Sequence, residues 1–144
     1  MKVISRNIIN FLDANKIATI GFVDIENKPY CINCFYLFDE PSLTLVFKSS
    51  LGTRHHSLIK ENISIAGTIL PNAIDFLKIK GIQFTGKLIG VTKINRLGLS
   101  AKYIKKFPMS LAINGYVWAV KLEFIKLTDS SLGFGNKTIW NSEI

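Results

Sequence analysis

A cluster of side chains suited to binding an anion follows the apolar segment 43–47. Its members, all between positions 48 and 56, are Lys48, Ser49, Ser50, Thr53, Arg54, His55 and His56. Arginine offers a planar fork of N–H donors, lysine a compact positive charge, and serine or threonine a hydroxyl donor. The spacing therefore predicts a site for a phosphate or a similar anion. The alternative interpretation is a solvated basic turn between a strand and a helix.

A helix is predicted to begin within this cluster, near Thr53, and to end at Asn62. The free N–H groups of its first turn and the positive end of its dipole would face the same anion. The glycine spacing of a Walker loop or of a dinucleotide-binding fingerprint is absent from this segment. The sequence thus indicates anion binding without either of these two nucleotide-binding loops.

The hydrophobic pattern predicts a mainly β domain in which short strands alternate with polar turns. Six strands are predicted, over residues 17–23, 29–38, 43–48, 63–70, 79–91 and 116–128. Amphipathic helices are predicted over residues 3–14 and 95–106, and the apolar tail 132–140 is expected to pack on the domain. Glycines inside strand 79–91 mark bulges, barrel corners or close approach by a ligand. These features favour one domain, residues 1–144, built as a small antiparallel barrel with short flanking helices.

Side-chain alternation assigns faces to the last two predicted strands. One face of strand 79–91 carries Gln83, Thr85 and Lys87, and the other carries Ile82, Phe84 and Leu88. One face of strand 116–128 carries Trp118, Val120, Leu122 and Phe124. Gln83 is thereby predicted on a polar face.

The bulk composition indicates a globular chain with a large core. It has 144 residues, of which 48% are hydrophobic, and a chain of this size folds without a metal or a disulfide. That apolar content exceeds what a small monomer is expected to bury, so a subunit interface is predicted. No apolar run is long enough for a transmembrane helix. Because the first residues form an amphipathic helix and not a secretory signal, the predicted location is the cytoplasm.

The net charge of +8 arises from 18 lysines and arginines against 10 aspartates and glutamates. Such a charge is compatible with binding to nucleic acid. However, the lysines are spread over different elements, and no known RNA- or DNA-binding module is present. Affinity for a phosphorylated small molecule explains the charge equally well, so nucleic acid is not the expected partner.

The cysteines and histidines do not predict a redox or metal centre. Cys31 and Cys34 have C-x-x-C spacing, but within a strand an offset of three directs the two thiols to opposite faces. Free, buried cysteines are therefore predicted. His55 and His56 are the only histidines, and neighbours on a helix diverge by about 100°. No zinc site and no Ser-His-Asp set is predicted from these residues.

Several motifs resemble the FMN-binding split-barrel proteins related to pyridoxamine 5'-phosphate oxidase. They are the segment from Phe47 to His55 and the later Gly81-Ile-Gln-Phe-Thr-Gly86. A finer resemblance, to the small uncharacterised bacterial proteins of the YhbP type, extends over nearly the whole chain. It is carried by residues 35–39, 53–55, 66–68, 81–84 with Gly86, 107–108, 128–129 and 132–135, together with Lys137 and Trp140. The resemblance implies a six-stranded antiparallel split β-barrel and a homodimer with one FMN in each of two clefts between the subunits.

The resemblance also implies which residues hold the cofactor. The segment that binds the FMN phosphate matches Lys48, Ser49, Ser50, Thr53 and Arg54, and His55 stands where many relatives place a lysine. Gln83 lies on the strand that contacts the flavin ring or the ribityl chain. Lys48, Gln83 or a backbone N–H is then the candidate donor toward N1 and C2=O of the ring.

Aromatic side chains are the candidates for covering the flavin ring. Trp140 and Phe134 would do so from the partner subunit, whereas Tyr36 and Tyr116 are candidates only for contact with the flavin. For each of them the alternative is ordinary packing in the core.

The implied function is that of a flavin-dependent oxidoreductase of unknown substrate, with no catalytic residue assigned. Pyridoxamine phosphate oxidase closes with an Arg-x-Pro-type segment that helps to bind its substrate, whereas this chain closes with Trp140-Asn-Ser-Glu-Ile144. Oxidation of vitamin B6 is therefore not expected. The alternative is a non-catalytic protein that binds FMN or another phosphorylated or anionic ligand for storage, sensing or delivery.

Overall fold

The computed structural model describes residues 3–24, 26–50 and 63–143. Within these ranges the strands are β1 (Ile17–Val23), β2 (Pro29–Asp39), β3 (Thr44–Ser50), β4 (Ser64–Ile69), β5 (Lys80–Leu88), β6 (Gly115–Asp129) and β7 (Lys137–Asn141). The α-helices are α1 (Arg6–Ala14), α2 (Val91–Arg96) and α3 (Leu99–Lys106). Two 3-10 helices cover Pro108–Ala112 and Ser130–Leu132.

All the described strands belong to one antiparallel sheet, in the order β3-β2-β1-β4-β5-β6-β7. Strand β3 also pairs with β6, and this pairing closes six strands into a barrel that has no free edge between them. The predicted six-stranded antiparallel barrel is confirmed. The apolar tail adds β7 outside the barrel, paired with the second half of β6.

A β-bulge breaks the predicted alternation in β6. The register of β5 against β6 shifts between Thr85 and Gly86, which adds one residue to β6. Leu122 therefore faces the core, but Phe124, which was predicted on the same face, turns to the outer surface. Gly86 permits the bulge, because a Cβ atom at this position would lie 2.2 Å from the carbonyl oxygen of Lys121.

The helix predicted over residues 95–106 is in fact two helices, α2 and α3. The break is at Gly98, whose φ of 65° lies in the left-handed region that favours glycine. Its N–H donates to the carbonyl of Asn95 at 3.1 Å and so ends α2. Strand β5 stops at Leu88, and Gly90 is the N-cap of α2 instead of lying in the strand.

The main core fills the barrel and continues beneath α1. Helix α1 begins after Ser5, whose hydroxyl accepts the N–H of Ile8, and it buries an apolar face against the strands. Tyr36 is fully buried, and its hydroxyl donates to the carbonyl of Leu12 at 2.8 Å. Of the two predicted interpretations of Tyr36, the structure thus supports core packing. A second cluster, built around Val46 and Leu99, lies between the outside of β3 and β6 and the helices α2 and α3.

The turn between β2 and β3 depends on the buried carboxylate of Asp39. Lys102 of α3 donates to it at 2.8 Å, and the hydroxyl and N–H of Ser42 donate to its other oxygen. Burial raises the pKa of Asp39, but these hydrogen bonds and the charge of Lys102 outweigh burial and hold the pKa below its ordinary value.

This lowered pKa predicts an acid-sensitive contribution to stability. The contribution is fully present above the unfolded-state pKa of about 3.9 and is lost as the pH falls through the lower folded-state pKa. Urea unfolding between pH 7 and pH 2 should therefore show a steepening loss of stability below about pH 4. Lys102→Met should reduce that loss, whereas Lys105→Met, on the same helix, should retain the wild-type pH profile. Identical profiles for both variants would contradict this role of the Asp39 carboxylate.

Candidate functional site

Strands β2 and β3 diverge at one end of the barrel. They pair with each other only between Tyr36–Phe47 and Asp39–Thr44. The residues of β2 that precede Tyr36 in the chain pair with β1. The last three residues of β3, Lys48 to Ser50, pair with β6. We call this divergence the split. It lies where the predicted phosphate-binding segment begins, and Ser49 and Ser50 extend β3 beyond its predicted end.

Helix α3 and the residue after it occupy the split. The hydroxyl of Tyr103 donates to the carbonyl of Phe35 at 3.1 Å, and the ammonium of Lys106 donates to the carbonyl of Tyr36 at 3.3 Å. The Phe107 ring contacts the Phe35 ring with 5.6 Å between centroids. Backbone carbonyls of β2 at the split are thus satisfied by helical side chains.

Burial shifts the pKa of both side chains that donate to β2 at the split. Burial raises the pKa of Tyr103 to about 12, so its hydroxyl remains a donor. Burial lowers the pKa of Lys106, although the nearby Asp13 opposes that effect. The packing of α3 against the split therefore combines neutral and cationic donors.

Lys48 is the predicted phosphate ligand whose side chain the structure describes. Its ammonium donates to the carbonyl of Ser110 at 2.7 Å, which ties the end of β3 to the 3-10 helix Pro108–Ala112. A lysine has three N–H donors, and this is the one that Lys48 gives to a described residue. The Ser110 hydroxyl is buried, and no hydrogen-bond partner for it occurs among the described residues.

The described residues include only the beginning of the predicted phosphate-binding segment. Ser49 and Ser50 lie on β3, in register with Tyr116 and Gly115. Thr53, Arg54 and His55, together with the predicted helix 53–62, lie outside the described residues. Their assignment as phosphate ligands stays a prediction.

A band of polar side chains crosses the outer face of the barrel. Each of five neighbouring strands contributes one residue, in register with the residue on the next strand. These residues are Asn33, Thr19, Thr68, Gln83 and Lys126. The Thr19 hydroxyl donates to the Asn33 side-chain oxygen at 2.7 Å. From Asn33 to Gln83 this polar band spans three strand spacings, or about 14 Å. It presents both amide donors and amide acceptors on an accessible surface.

A shallow groove of about 450 Å³ runs along the polar band. Gly21 and Ala66 line it, and their small side chains leave the backbone of β1 and β4 open to a flat ligand. Phe35, Ile17 and Leu70 are each about half exposed at one side of the band. The groove therefore combines polar side chains, Thr19, Thr68 and Gln83, with the apolar Phe84 and Phe124. Ile17, Phe35 and Leu70 line a neighbouring depression that shares Thr19 and Thr68 with it.

The structure does not bring all the predicted site residues together. Lys48 lies on β3 at the split, and Gln83 lies on β5 in the polar band. In the sheet, β2, β1 and β4 stand between these two strands. Trp140 is 1% exposed and belongs to the main core, a placement that supports its packing interpretation over contact with a flavin. Phe134 is fully exposed, and Tyr116 is 55% exposed.

The cysteines and the metal-ligand residues add no further centre within the described ranges. Burial raises the pKa of Cys34 to about 12, which leaves it an unreactive thiol at neutral pH. Cys31 is exposed, contrary to the prediction that both cysteines are buried. Among the residues that the structure describes, no group of three His, Cys, Asp or Glu side chains is placed to hold a metal ion. Their helices include none long and apolar enough to cross a membrane.

Sequence reasoning did not identify the partners of Gln83. Thr19 and Asn33 were absent from the predicted site because their relation to Gln83 depends on the pairing of β1 with β4, which are not consecutive strands. The signal that was present is the alternation of polar residues within each strand. The Ser110 contact of Lys48 has no local sequence signal, since 62 positions separate the two residues.

Comparison with curated proteins identifies relatives over most of the chain. No family model matches the sequence. The chain is 38% identical over 111 residues to a UPF0306 protein of Photorhabdus laumondii, an alignment that covers 77% of this chain and 78% of that protein.

Comparison with solved structures identifies the fold. A pyridoxamine 5'-phosphate oxidase-related, FMN-binding protein of Nostoc punctiforme superposes with a TM-score of 0.72 at 11% identity, covering 98% of this chain and 93% of that one. A heme-binding protein from Mycobacterium smegmatis superposes with a TM-score of 0.68 at 15% identity, covering 92% of this chain and 55% of that one. At such identities the shared property is the split-barrel fold.

Proposed function

This chain belongs to the UPF0306 family, and we propose that it is an FMN-binding protein with two cofactor sites in a homodimer. The observation that carries the proposal is the presence of two candidate binding surfaces, the split on β3 and the polar band that reaches β5, which are separated within one protomer and which the two subunits of the dimer would bring to one cofactor. The split supplies a lysine at the start of an anion-binding sequence, and the polar band supplies amide groups beside a shallow groove. An FMN-binding protein with the same fold supports this choice of ligand.

The donor set fits the phosphate of FMN. Lys48 has two N–H donors beyond the one that it gives to Ser110. Ser49, Ser50, Thr53 and Arg54 follow it directly in sequence, and His55 is a further candidate. Charge-assisted hydrogen bonds to phosphate are among the strongest in proteins. The net charge of +8 would add a general attraction for the anion.

The polar band fits the mixed hydrogen-bonding edge of a flavin ring. The side-chain amides of Gln83 and Asn33 can each donate and accept. Lys126, in register with Gln83, adds a positive charge at the same end of the band. We assign Gln83 to contact with the ring or the ribityl chain, and Lys126 to stabilising negative charge on the nearest ring edge.

The proposed dimer would cover exposed apolar side chains beside the polar band. Exposed apolar side chains surround that end of the barrel and the connection from β4 to β5, namely Ile17, Phe35, Leu70, Ile74, Phe76 and Leu77. Their burial by a second copy would be favourable by roughly 25 cal/mol for each Å² removed from water. Phe134, fully exposed on the tail, is the aromatic residue that we assign to the partner's site.

Bound FMN would supply hydride and electron transfer between a reductant and a substrate. The residues of the chain would bind the phosphate, orient the ring against the groove and exclude water through the dimer contact. None of the described residues in the groove is an evident general acid or base. We therefore assign no catalytic residue and propose oxidoreductase activity on an unknown substrate.

A non-catalytic binding protein is the second candidate function. The groove that carries the polar band is shallow, and it offers one surface for a ligand and not a cofactor site with a separate substrate pocket. A protein of this kind would hold FMN, or another phosphorylated or anionic ligand, for sensing or delivery.

The test is a visible absorption spectrum of the purified protein followed by fluorescence titration with FMN and with riboflavin. We expect flavin bands or saturable quenching, with FMN binding more tightly than riboflavin, and a dimer by light scattering. Reduction of the bound flavin by NADH or NADPH under anaerobic conditions would favour the oxidoreductase over the binding protein. A colourless protein that leaves FMN fluorescence unchanged would contradict the proposed cofactor.

A further inference from the structure

A second cavity lies away from the split, between α1 and the ends of β5 and β6. Its volume is about 500 Å³. Asn7, Asn10, Phe11 and Ala14 line one wall, and their spacing of three, four and seven residues places them on one side of the helix. The opposite wall contains Lys80 and Asp129 and the base contains Leu127, so the cavity joins a polar opening to an apolar floor.

Lys80 and Asp129 form a long ion pair at this wall. Lys80 is the first residue of β5, and it is in register with Asp129, the last residue of β6. Their nearest charged atoms, Nζ and Oδ2, are 3.5 Å apart, which is longer than the roughly 2.7–2.9 Å of a charge-assisted hydrogen bond. The other carboxylate oxygen, Oδ1, accepts the N–H and the hydroxyl of Ser131. Oδ2 and the ammonium therefore both retain hydrogen-bonding capacity.

The charge of Asp129 is maintained at neutral pH. Burial raises the pKa of this carboxyl group, but the hydrogen bonds from Ser131 and the attraction of Lys80 outweigh burial and hold the pKa below its ordinary value. Side-chain exposure differs between the pair, at 9% for Asp129 and 41% for Lys80. The carboxylate is thus a fixed acceptor, while the lysine can adjust to a ligand.

Hydrogen bonds hold the walls of the cavity in place. The Asn15 side chain donates to the carbonyl of Phe11 at 2.8 Å and accepts the N–H of Asn72 at 2.9 Å. The Asn72 side chain donates to the carbonyl of Ala14 at 3.1 Å. These contacts fix the end of α1 against the turn after β4. The cavity is therefore formed before any ligand arrives.

We propose that this cavity binds a free α-amino acid with an apolar side chain. The α-ammonium group would donate to Asp129 Oδ2, and the α-carboxylate would accept from Lys80. Asn7 and Asn10 supply further amide donors and acceptors at the opening. The side chain of the ligand would lie against Phe11, which is 6% exposed, and Leu127, which is 1% exposed.

L-Leucine is the probe for this site, used with the full chain in calorimetric titration and in saturation-transfer NMR. Two analogues separate its charged groups, since isoamylamine lacks the carboxylate and 4-methylpentanoate lacks the ammonium. We expect saturable binding of L-leucine and at least tenfold weaker binding of each analogue. Lys80→Gln should weaken L-leucine binding about tenfold.

Matched variants make the result specific to the cavity. Lys87→Gln removes the same charge from the far end of β5 and should leave L-leucine binding unchanged. Asn10→Ala, at the opening of the cavity, should weaken binding about threefold and provides a second test if Lys80→Gln does not fold. Absence of L-leucine binding, equal binding of either analogue, or equal affinities in Lys80→Gln and Lys87→Gln would overturn the proposal. These outcomes are independent of FMN, because the cavity does not include the split or the polar band.

Discussion

Replacing Trp140 with alanine is expected to lower the free energy of unfolding by about 3–5 kcal/mol, the usual cost of truncating a fully buried tryptophan. Trp140 is 1% exposed and lies in the main core, opposite Ile125 in the β6–β7 register. Truncation would leave a cavity where β7 packs on the barrel and would weaken the attachment of the tail. Urea unfolding monitored by circular dichroism measures the loss. The Kd of the folded fraction for FMN should remain close to that of the wild type.

Two further variants separate core packing from contact with the cofactor. Trp140→Phe keeps most of the apolar volume and should cost clearly less than the alanine variant. Phe134→Ala should leave stability almost unchanged, because Phe134 is fully exposed, and it should weaken FMN binding if its ring covers the partner's flavin. A Trp140→Ala protein with wild-type stability and lost FMN affinity would contradict the core assignment.

The positions of the six barrel strands along the chain could be predicted, because each depends on local alternation and turn residues. Strand β1 begins and ends at the predicted residues, Ile17 and Val23. The bulge in β6 could not be predicted in this way, since it is a property of the register with β5 at Gly86. A single extra residue reverses every face that follows it, and Phe124 was assigned to the wrong face for this reason.

Other differences between the sequence-based predictions and the structure also have specific causes. The apolar tail was predicted to pack, but only the pairing with β6 places Trp140 in the core. Gly98 was included in the predicted amphipathic helix 95–106, although its left-handed φ requires a break. Features that depend on the arrangement of distant strands could not be predicted from local sequence patterns. The polar band depends on the non-sequential neighbours β1 and β4, and local patterns do not specify which strands are neighbours.

Arg54→Ala is expected to weaken FMN binding by about 1.5–3 kcal/mol, roughly a ten- to 150-fold rise in Kd. This is the usual contribution of a hydrogen bond to a charged group, and arginine is the residue best suited to a phosphate. Arg54 lies outside the described residues, so the prediction depends on its position after β3 and on the resemblance of this segment. Lys48 is a less informative choice for mutation. Its ammonium also holds the Ser110 carbonyl, and its loss would disturb the 3-10 helix.

A comparison of FMN with riboflavin assigns the effect of Arg54→Ala to the phosphate. The variant should lose affinity for FMN and retain its affinity for riboflavin, which has the same ring but no phosphate. The change in binding free energy for FMN minus the change for riboflavin is the coupling energy between Arg54 and the phosphate. The wild-type Kd for FMN should also rise with salt more steeply than that of the variant. Arg6→Ala is the matched control, because it removes the same charge near Glu40, at the opposite end of β3. An equal loss in both variants would indicate general electrostatic attraction, and an unchanged Kd in Arg54→Ala would remove the 48–54 segment from the cofactor site.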